Sequence, residues 1–147
     1  MDASKVYLAQ TDTTVGFLSK NDKKLSAIKK RVPHQKILQV VDSFKTLNTL
    51  TRVPKEFRAK VRRAKNSTFI YPNGNSYRVV SKDCAHYEFV KKMKILYSTS
   101  ANETKKAFHF PFAFEHADVV VEDARGLYEA KSSHIIKLSC NRIQKLR

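Results

Sequence analysis

The sequence predicts an α/β protein, α+β by the stricter definition: a mixed sheet with helices packed on it. Three observations carry that reading. Short apolar or β-branched runs, among them residues 37–41, 118–123 and 132–138, alternate with segments of helical spacing. The pair Asn73-Gly74, set between the runs 68–71 and 76–80, is a strong short-range hairpin signal, so at least one strand pair is antiparallel. The length, 147 residues, matches one domain spanning 1–147, long enough to bury about two-thirds of its unfolded surface.

Residues 6–9 (Val-Tyr-Leu-Ala) form the first apolar run, and a hydroxyl-rich loop, 10–16, follows it. Asn21 or Asp22 caps a helix through about Lys30, with Leu25 and Ile28 one turn apart on its buried side. Its basic end, Lys29-Lys30-Arg31, complements the negative pole of the helix, and Val32-Pro33 stops it. After the strand 37–41, Phe44, Leu47 and Leu50 mark a short helix. Pro54 then stands at an N1-like position before Phe57, Val61 and Ala64, which share one face. The other face carries Lys55, Arg58, Lys60, Arg62, Arg63 and Lys65, with Glu56 as the lone carboxylate between them. Such a stripe is either a solvated helix face or an RNA contact surface, and Lys55, Arg58, Arg62 and Arg63 are its candidate RNA-binding residues.

Arg78, within the second hairpin strand, must point to solvent or to an anion, the alternative being a cross-strand salt bridge. A helix over 85–93 buries Phe89, Val90 and Met93 and leads into the strand 95–97. There the apolar run breaks into Ser98-Thr99-Ser100-Ala101-Asn102, which reads as a strand delivering a hydroxyl- and amide-rich loop, with Glu103 as a candidate helix start. Rotating hydroxyls and helix N–H groups would hold an oxyanion there; the alternative is a cap that closes its own backbone. Phe108, Phe110, Phe112 and Phe114 alternate as a strand or a packing loop, with burial expected ahead of exposed rings for base stacking. The strand 118–123, a turn at Gly126 and two alternating strands, 132–138 and 142–146, close the chain.

Charge is the unusual property. Lysine and arginine total 29 against 13 acidic residues, a formal +16, and a field of that size attracts polyanions. Cys84 and Cys140 are too few for a disulfide framework, and no signal segment or long apolar span is visible, so a cytoplasmic protein with reduced thiols and no membrane association is expected. Cys84-Ala85-His86 lacks the paired spacing of a zinc site, and no metal site is expected. The three glycines, Gly16, Gly74 and Gly126, form neither a Walker loop nor a Gly-x-Gly-x-x-Gly turn. Ser98 and Ser100 have no histidine motif nearby to make a nucleophile of either.

Taken in order, these loops resemble those of the YrdC-like family of threonylcarbamoyl-AMP synthases. Residues 10–16 (Gln-Thr-Asp-Thr-Thr-Val-Gly) are similar to the family's Pro-Thr-Asp/Glu-Thr-x-x-Gly loop. Lys29-Lys30-Arg31 is similar to its Lys-x-Arg, and Ser98-Thr99-Ser100-Ala101-Asn102 to its Ser-Thr-Ser-Ala-Asn. The strand with Arg78 and the segment 118–138 extend the likeness over nearly the whole chain. Departures are Gln10 for Pro, Leu18 for a second Gly, Val32 where Pro would directly follow the Arg, Ala64-Lys65-Asn66-Ser67-Thr68 for Pro-Gly-Pro-x-Thr, Thr104-Lys105 for Ser-Gly, and Lys131-Ser132-Ser133 for Pro-Ser-Thr.

The resemblance implies a twisted open sheet around a concave basic cavity and a nucleotidyltransferase of tRNA modification. ATP, L-threonine and bicarbonate would give threonylcarbamoyl-AMP and pyrophosphate, with Mg²⁺ accompanying the ATP. Lys29, Arg31, Ser100 and Asn102 would be catalytic; these four with Ser98 and Thr99 would bind nucleotide, and Thr11, Thr13 and Arg78 would bind threonine. Thr11, Lys29, Arg31, Ser100 and Asn102 are then expected to line one cavity. Implied partners are tRNA or double-stranded RNA and the proteins of threonylcarbamoyl transfer. The alternative is a non-catalytic RNA-binding module of the same fold.

Overall fold

The computed structural model describes residues 1–32 and 34–147. Pro33, expected to help end the first helix, lies outside them. Along the chain come β1 (Tyr7–Gln10), β2 (Val15–Ser19), α1 (Asp22–Ile28), β3 (Gln39–Val41), α2 (Phe44–Leu50) and a 3₁₀ turn (Lys55–Phe57) running into α3 (Arg58–Arg63). Then follow β4 (Ser67–Ile70), β5 (Ser76–Val79), α4 (Tyr87–Met93), β6 (Ile95–Ser100), α5 (Phe110–His116), β7 (Val119–Val121), β8 (His134–Leu138) and β9 (Ile143–Lys145). Among the described residues the strands form one open nine-stranded sheet, ordered β7-β1-β2-β6-β3-β5-β4-β8-β9. It is mixed: β1 with β7, β3 with β5 and β4 with β8 are parallel, and the other neighbours are antiparallel.

Strands β1 and β2 bury both faces. Leu8 and Phe17 pack with Leu25 of α1 and Ala113 of α5, while their alternating neighbours Tyr7 and Leu18 pack with Val90 and Met93 of α4. A third cluster joins Leu47 of α2 and Val61 of α3 to Val41, Phe69, Tyr77 and Leu138. Asn21 caps α1 by accepting from the N–H groups of Lys23 and Lys24, as the sequence indicates. The hairpin is present in the expected place, with Phe69 opposite Tyr77 and Gly74 at φ +81°, a conformation that suits glycine. Pro54 sits one step earlier than expected, at the cap of the 3₁₀ turn, where its extended ψ of 133° feeds the chain into α3.

Four expectations need correction. The loop 10–16 gives way to β2 at Val15, a strand the sequence reading passed over because Gly16 interrupts its β-branched run. Gly16 is there for close approach: a Cβ on it would lie 3.0 Å from the Thr99 carbonyl of β6. Ser98, Thr99 and Ser100 belong to β6 itself and pair with Leu18, Phe17 and Gly16, so they stand on a rigid strand and not on a loop. Glu103 starts no helix; the chain turns there and makes an isolated bridge between Asn102 and Phe108. The alternating phenylalanines form α5, begun at Phe110 with Pro111 in its first turn. Helical spacing then sets Phe110 and Phe114 together outside, stacked at 5.9 Å and each 47% exposed, while Phe112 packs inward at 6.3 Å from Phe17.

His86, just before α4, is buried against Phe89, and its Nε2 has no hydrogen-bond partner among the described residues. Burial, opposed by Asp12 and reinforced by Arg78, holds its pKa down to about 4. In the unfolded chain this imidazole takes a proton near pH 6.5, whereas the folded protein resists to about pH 4. His86 therefore leaves stability whole above pH 6.5 and erodes it as pH falls, by about 2 kcal/mol between pH 6.5 and 5 at roughly 1.4 kcal/mol per unit. Urea unfolding at pH 7 and pH 5 should show this loss in the native protein and a smaller one in His86→Asn. An equal loss in both would assign the acid sensitivity elsewhere.

Candidate active site

The end of β6, the loop leaving β1, and strands β4 and β5 surround a cavity of about 270 Å³. Thr11 and Thr13 line it from the β1–β2 connection, Arg31 from beyond α1, Arg78 from β5, and Ser98, Thr99 and Ser100 from β6. The sheet order explains the convergence: β6 lies between β2 and β3, and β3 pairs with β5, so loops far apart in sequence meet over adjacent strands. Open sheets gather ligands at such strand ends.

Lys29 and Arg31 divide the work of the basic segment. The Arg31 guanidinium reaches the cavity and donates from Nη2 to Thr99 Oγ1 at 3.0 Å, and partial burial lowers its pKa. Lys29 does not line the cavity. It is buried beside it, donating from Nζ to the Ser100 carbonyl at 3.1 Å, to Asn102 Oδ1 at 3.1 Å and to the Asn102 carbonyl. Asn102 does not line it either, so of the five residues expected in one lining, Thr11, Arg31 and Ser100 are there, and Lys29 and Asn102 are joined to it through the Lys29 hydrogen bond to Ser100. Desolvation, then the charge of Arg31, brings the Lys29 pKa down to about 8. The surrounding oxygens solvate its ammonium form in place of water.

Arg78 faces the cavity but already has a partner. Its Nη2 donates to Asp12 Oδ1 at 3.0 Å in a pair that is 4% and 7% exposed, and its Nε has no partner among the described residues. Nη1 approaches Thr68 Oγ1 at 3.4 Å, and Thr68 shares a 2.9 Å hydrogen bond with Ser133 Oγ. The Thr11 hydroxyl donates to the Thr14 carbonyl at 2.7 Å and accepts from the Thr13 N–H, so this loop is pre-shaped by its own bonds. Arg125 holds the same loop from outside through the carbonyls of Thr11 and Gln10, and Gln10 Oε1 accepts from the Tyr128 N–H. Sequence reading passed over Asp12, Thr68, Ser133 and Arg147, all at or beside the cavity. Thr68 and Ser133 lie in segments where the sequence already departs from the family pattern; nothing in the sequence singles out Arg147, whose Nε donates to the Ser133 carbonyl. The result is three guanidiniums, Arg31, Arg78 and Arg147, around hydroxyls, with one of them, Arg78, paired to Asp12.

The basic stripe lies elsewhere. Lys55, Arg58, Arg62 and Arg63 are exposed on the 3₁₀ turn and α3, and none forms an ion pair among the described residues. Among those residues no three His, Cys, Asp or Glu gather in a way that could hold a metal ion, and both cysteines are free.

Neither a family model nor a curated protein sequence matches the chain. Solved structures do. P. abyssi Sua5 in complex with L-threonine aligns over 98% of this chain with a TM-score of 0.78 at 17% identity. E. coli YciO aligns over 98% with a TM-score of 0.74 at 15% identity, and full-length HypF in a phosphate- and nucleotide-bound form over 98% with 0.72 at 13%. The chain spans about half of Sua5, 50% of its length, but 82% of YciO. These likenesses define the class: the chain has the YrdC-like fold, a mixed open sheet with helices packed on it.

Proposed function

We propose that this chain, acting as one YrdC-like domain, is an L-threonylcarbamoyladenylate synthase of tRNA modification, working in the cytoplasm. The observation that carries the reading is the convergence of Arg31 and Arg78 with the hydroxyls of Thr11, Thr13, Ser98 and Ser100 on one cavity. A cavity of about 270 Å³ suits an amino acid and the group being transferred, with the rest of a nucleotide extending outward. The Sua5 structure holds L-threonine and the HypF structure phosphate and nucleotide, ligands that match those proposed here.

In this reading the threonine amine takes up bicarbonate with loss of water. An oxygen of the resulting carbamate attacks the α-phosphorus of ATP, and pyrophosphate leaves. Two anions must be held together while charge on the transferring group is spread, a task for fixed cations and oriented donors. Arg31 would face the phosphoryl group, with Ser98, Thr99 and Ser100 as neutral donors on β6. Lys29, with Asn102, would fix the end of β6 and add positive charge from behind. Arg78, with Thr11 and Thr13, would take the threonine carboxylate on guanidinium donors left free by Asp12. Magnesium would arrive on the ATP phosphates, since no Asp or Glu is among the described residues lining the cavity and the one met beside it, Asp12 on Arg78, is committed to that pair.

The test is pyrophosphate release from ATP by the purified chain with and without threonine and bicarbonate. Release that requires both supports the proposal; no release, or release indifferent to threonine, overturns it. A second reading, the RNA-binding module, is favoured by the exposed stripe on α3, which makes no ion pair among the described residues. It adds a prediction. Affinity for tRNA or duplex RNA should fall steeply with salt, with a log–log slope near −0.7 to −0.9 per phosphate contacted. The slope should become shallower in Arg58→Ala/Arg62→Ala. Salt-indifferent binding, measured by filter retention between 50 and about 200 mM salt, would exclude the stripe as the contact.

A further inference from the structure

A second cavity, larger than the candidate active site, lies against the opposite face of β4 and β5. Thr68 and Arg78 line the active-site cavity, whereas the alternating residues Phe69, Tyr77 and Val79 line this groove of about 680 Å³. One wall is the end of α3 with the connection to β4; the other is the segment 80–84 after β5. The floor is apolar: Phe44, Ala64, Val79 and Cys84 are half-buried along it, and Val61, Phe69, Tyr71 and Tyr77, the two tyrosine rings 5.8 Å apart, are buried. The rim is cationic on both sides, Arg62, Arg63 and Lys65 on one wall and Lys82 on the other, all exposed and without ion pairs among the described residues.

The acids of the groove do not cancel this charge. Asp42 is taken by Lys94 at 3.2 Å and by the hydroxyls of Ser43 and Thr46, and Asp12 is taken by Arg78. Asp83 is left against four cations. A volume in the range of small-molecule sites, an apolar floor and opposed cationic walls fit a ligand with an apolar ring system and more than one phosphate. A polymer backbone would touch the rim and leave the recessed floor unused.

We propose that this groove is a second nucleotide site, taking a nucleoside di- or triphosphate with the phosphates between Arg62, Arg63 and Lys82 and the base against the floor. The site is separate from the proposed active site and does not depend on that activity.

Equilibrium dialysis of the full chain with labelled ADP tests it. Two ADP per chain are expected. Arg62→Ala/Lys82→Ala, both surface changes, should weaken one of them at least tenfold and leave the Arg31-dependent one intact; Arg31→Ala should do the reverse. Inorganic pyrophosphate should compete at the groove at least tenfold less well than ADP, because it lacks the ring. A single ADP that ignores Arg62 and Lys82 overturns the groove site and spares the active-site reading. A single ADP lost in Arg62→Ala/Lys82→Ala but kept in Arg31→Ala supports the groove and removes nucleotide from the other cavity. Equal competition by pyrophosphate overturns the role of the floor, and duplex RNA binding lost in Arg62→Ala/Lys82→Ala without any ADP binding assigns the rim to RNA and overturns the proposal.

Discussion

Arg31→Ala is expected to lower threonine-dependent pyrophosphate release about a hundredfold, roughly 3 kcal/mol of transition-state stabilisation, while leaving the folded state nearly as stable as before. The two halves of that expectation come from the same geometry. Arg31 is half-buried and, among the described residues, tied to the protein through one side-chain hydrogen bond, to Thr99, so truncation leaves a satisfiable hydroxyl and no stranded charge. Its remaining donors are free for the group that develops charge in the cavity. Lys29→Ala should behave differently. The Lys29 ammonium is enclosed by oxygens of Ser100 and Asn102, and its loss would unpair the carbonyls that shape the end of β6. Rate and stability should fall together there, and Ser100→Ala should cost less than either in rate. Steady-state rates beside urea midpoints separate the cases. Arg31→Ala turning over at the native rate would remove the proposed electrostatic role and leave only the cavity.

What was legible in the sequence follows from how local each signal is. The Asn21 cap, the Asn73-Gly74 hairpin and the apolar faces of α2 and α3 are decided within a few residues, and the structure has them. β2 depends on β6: a glycine in a strand reads as an interruption until the neighbouring carbonyl that requires it is known. The phenylalanine segment misled because period two over four residues is also the start of a helix with Pro111 in its first turn. At the candidate site, residue types that bind anions could be read from motif order, but a side chain's direction could not. Lys29 and Arg31, two positions apart at a helix end, point to different places, one into the turn after β6 and one into the cavity. Asp12 was within a quoted motif and still unread, because its partner is 66 positions away.

That partner sets the second large effect. Asp12→Ala should destabilise the protein by about 3–5 kcal/mol, the usual result of removing one member of a buried pair. The Asp12 and Arg78 side chains are 7% and 4% exposed, they meet at 3.0 Å, and Arg78 Nε already lacks a partner among the described residues. Without the carboxylate, a guanidinium would stay in the protein interior with only the Thr68 hydroxyl, 3.4 Å away, to offset its lost hydration. The double variant Asp12→Ala/Arg78→Met should recover much of the loss, since replacing both charges by apolar groups removes the desolvation along with the attraction. Function separates the two variants further. If Arg78 receives a ligand carboxylate, excess L-threonine should raise the unfolding midpoint of Asp12→Ala more than that of the native chain, because the ligand there supplies the missing charge, and should do nothing for the double variant. Urea unfolding with and without threonine reads all three. An Asp12→Ala chain within about 1 kcal/mol of the native one would show that water reaches Arg78 and that the pair is not closed off from solvent.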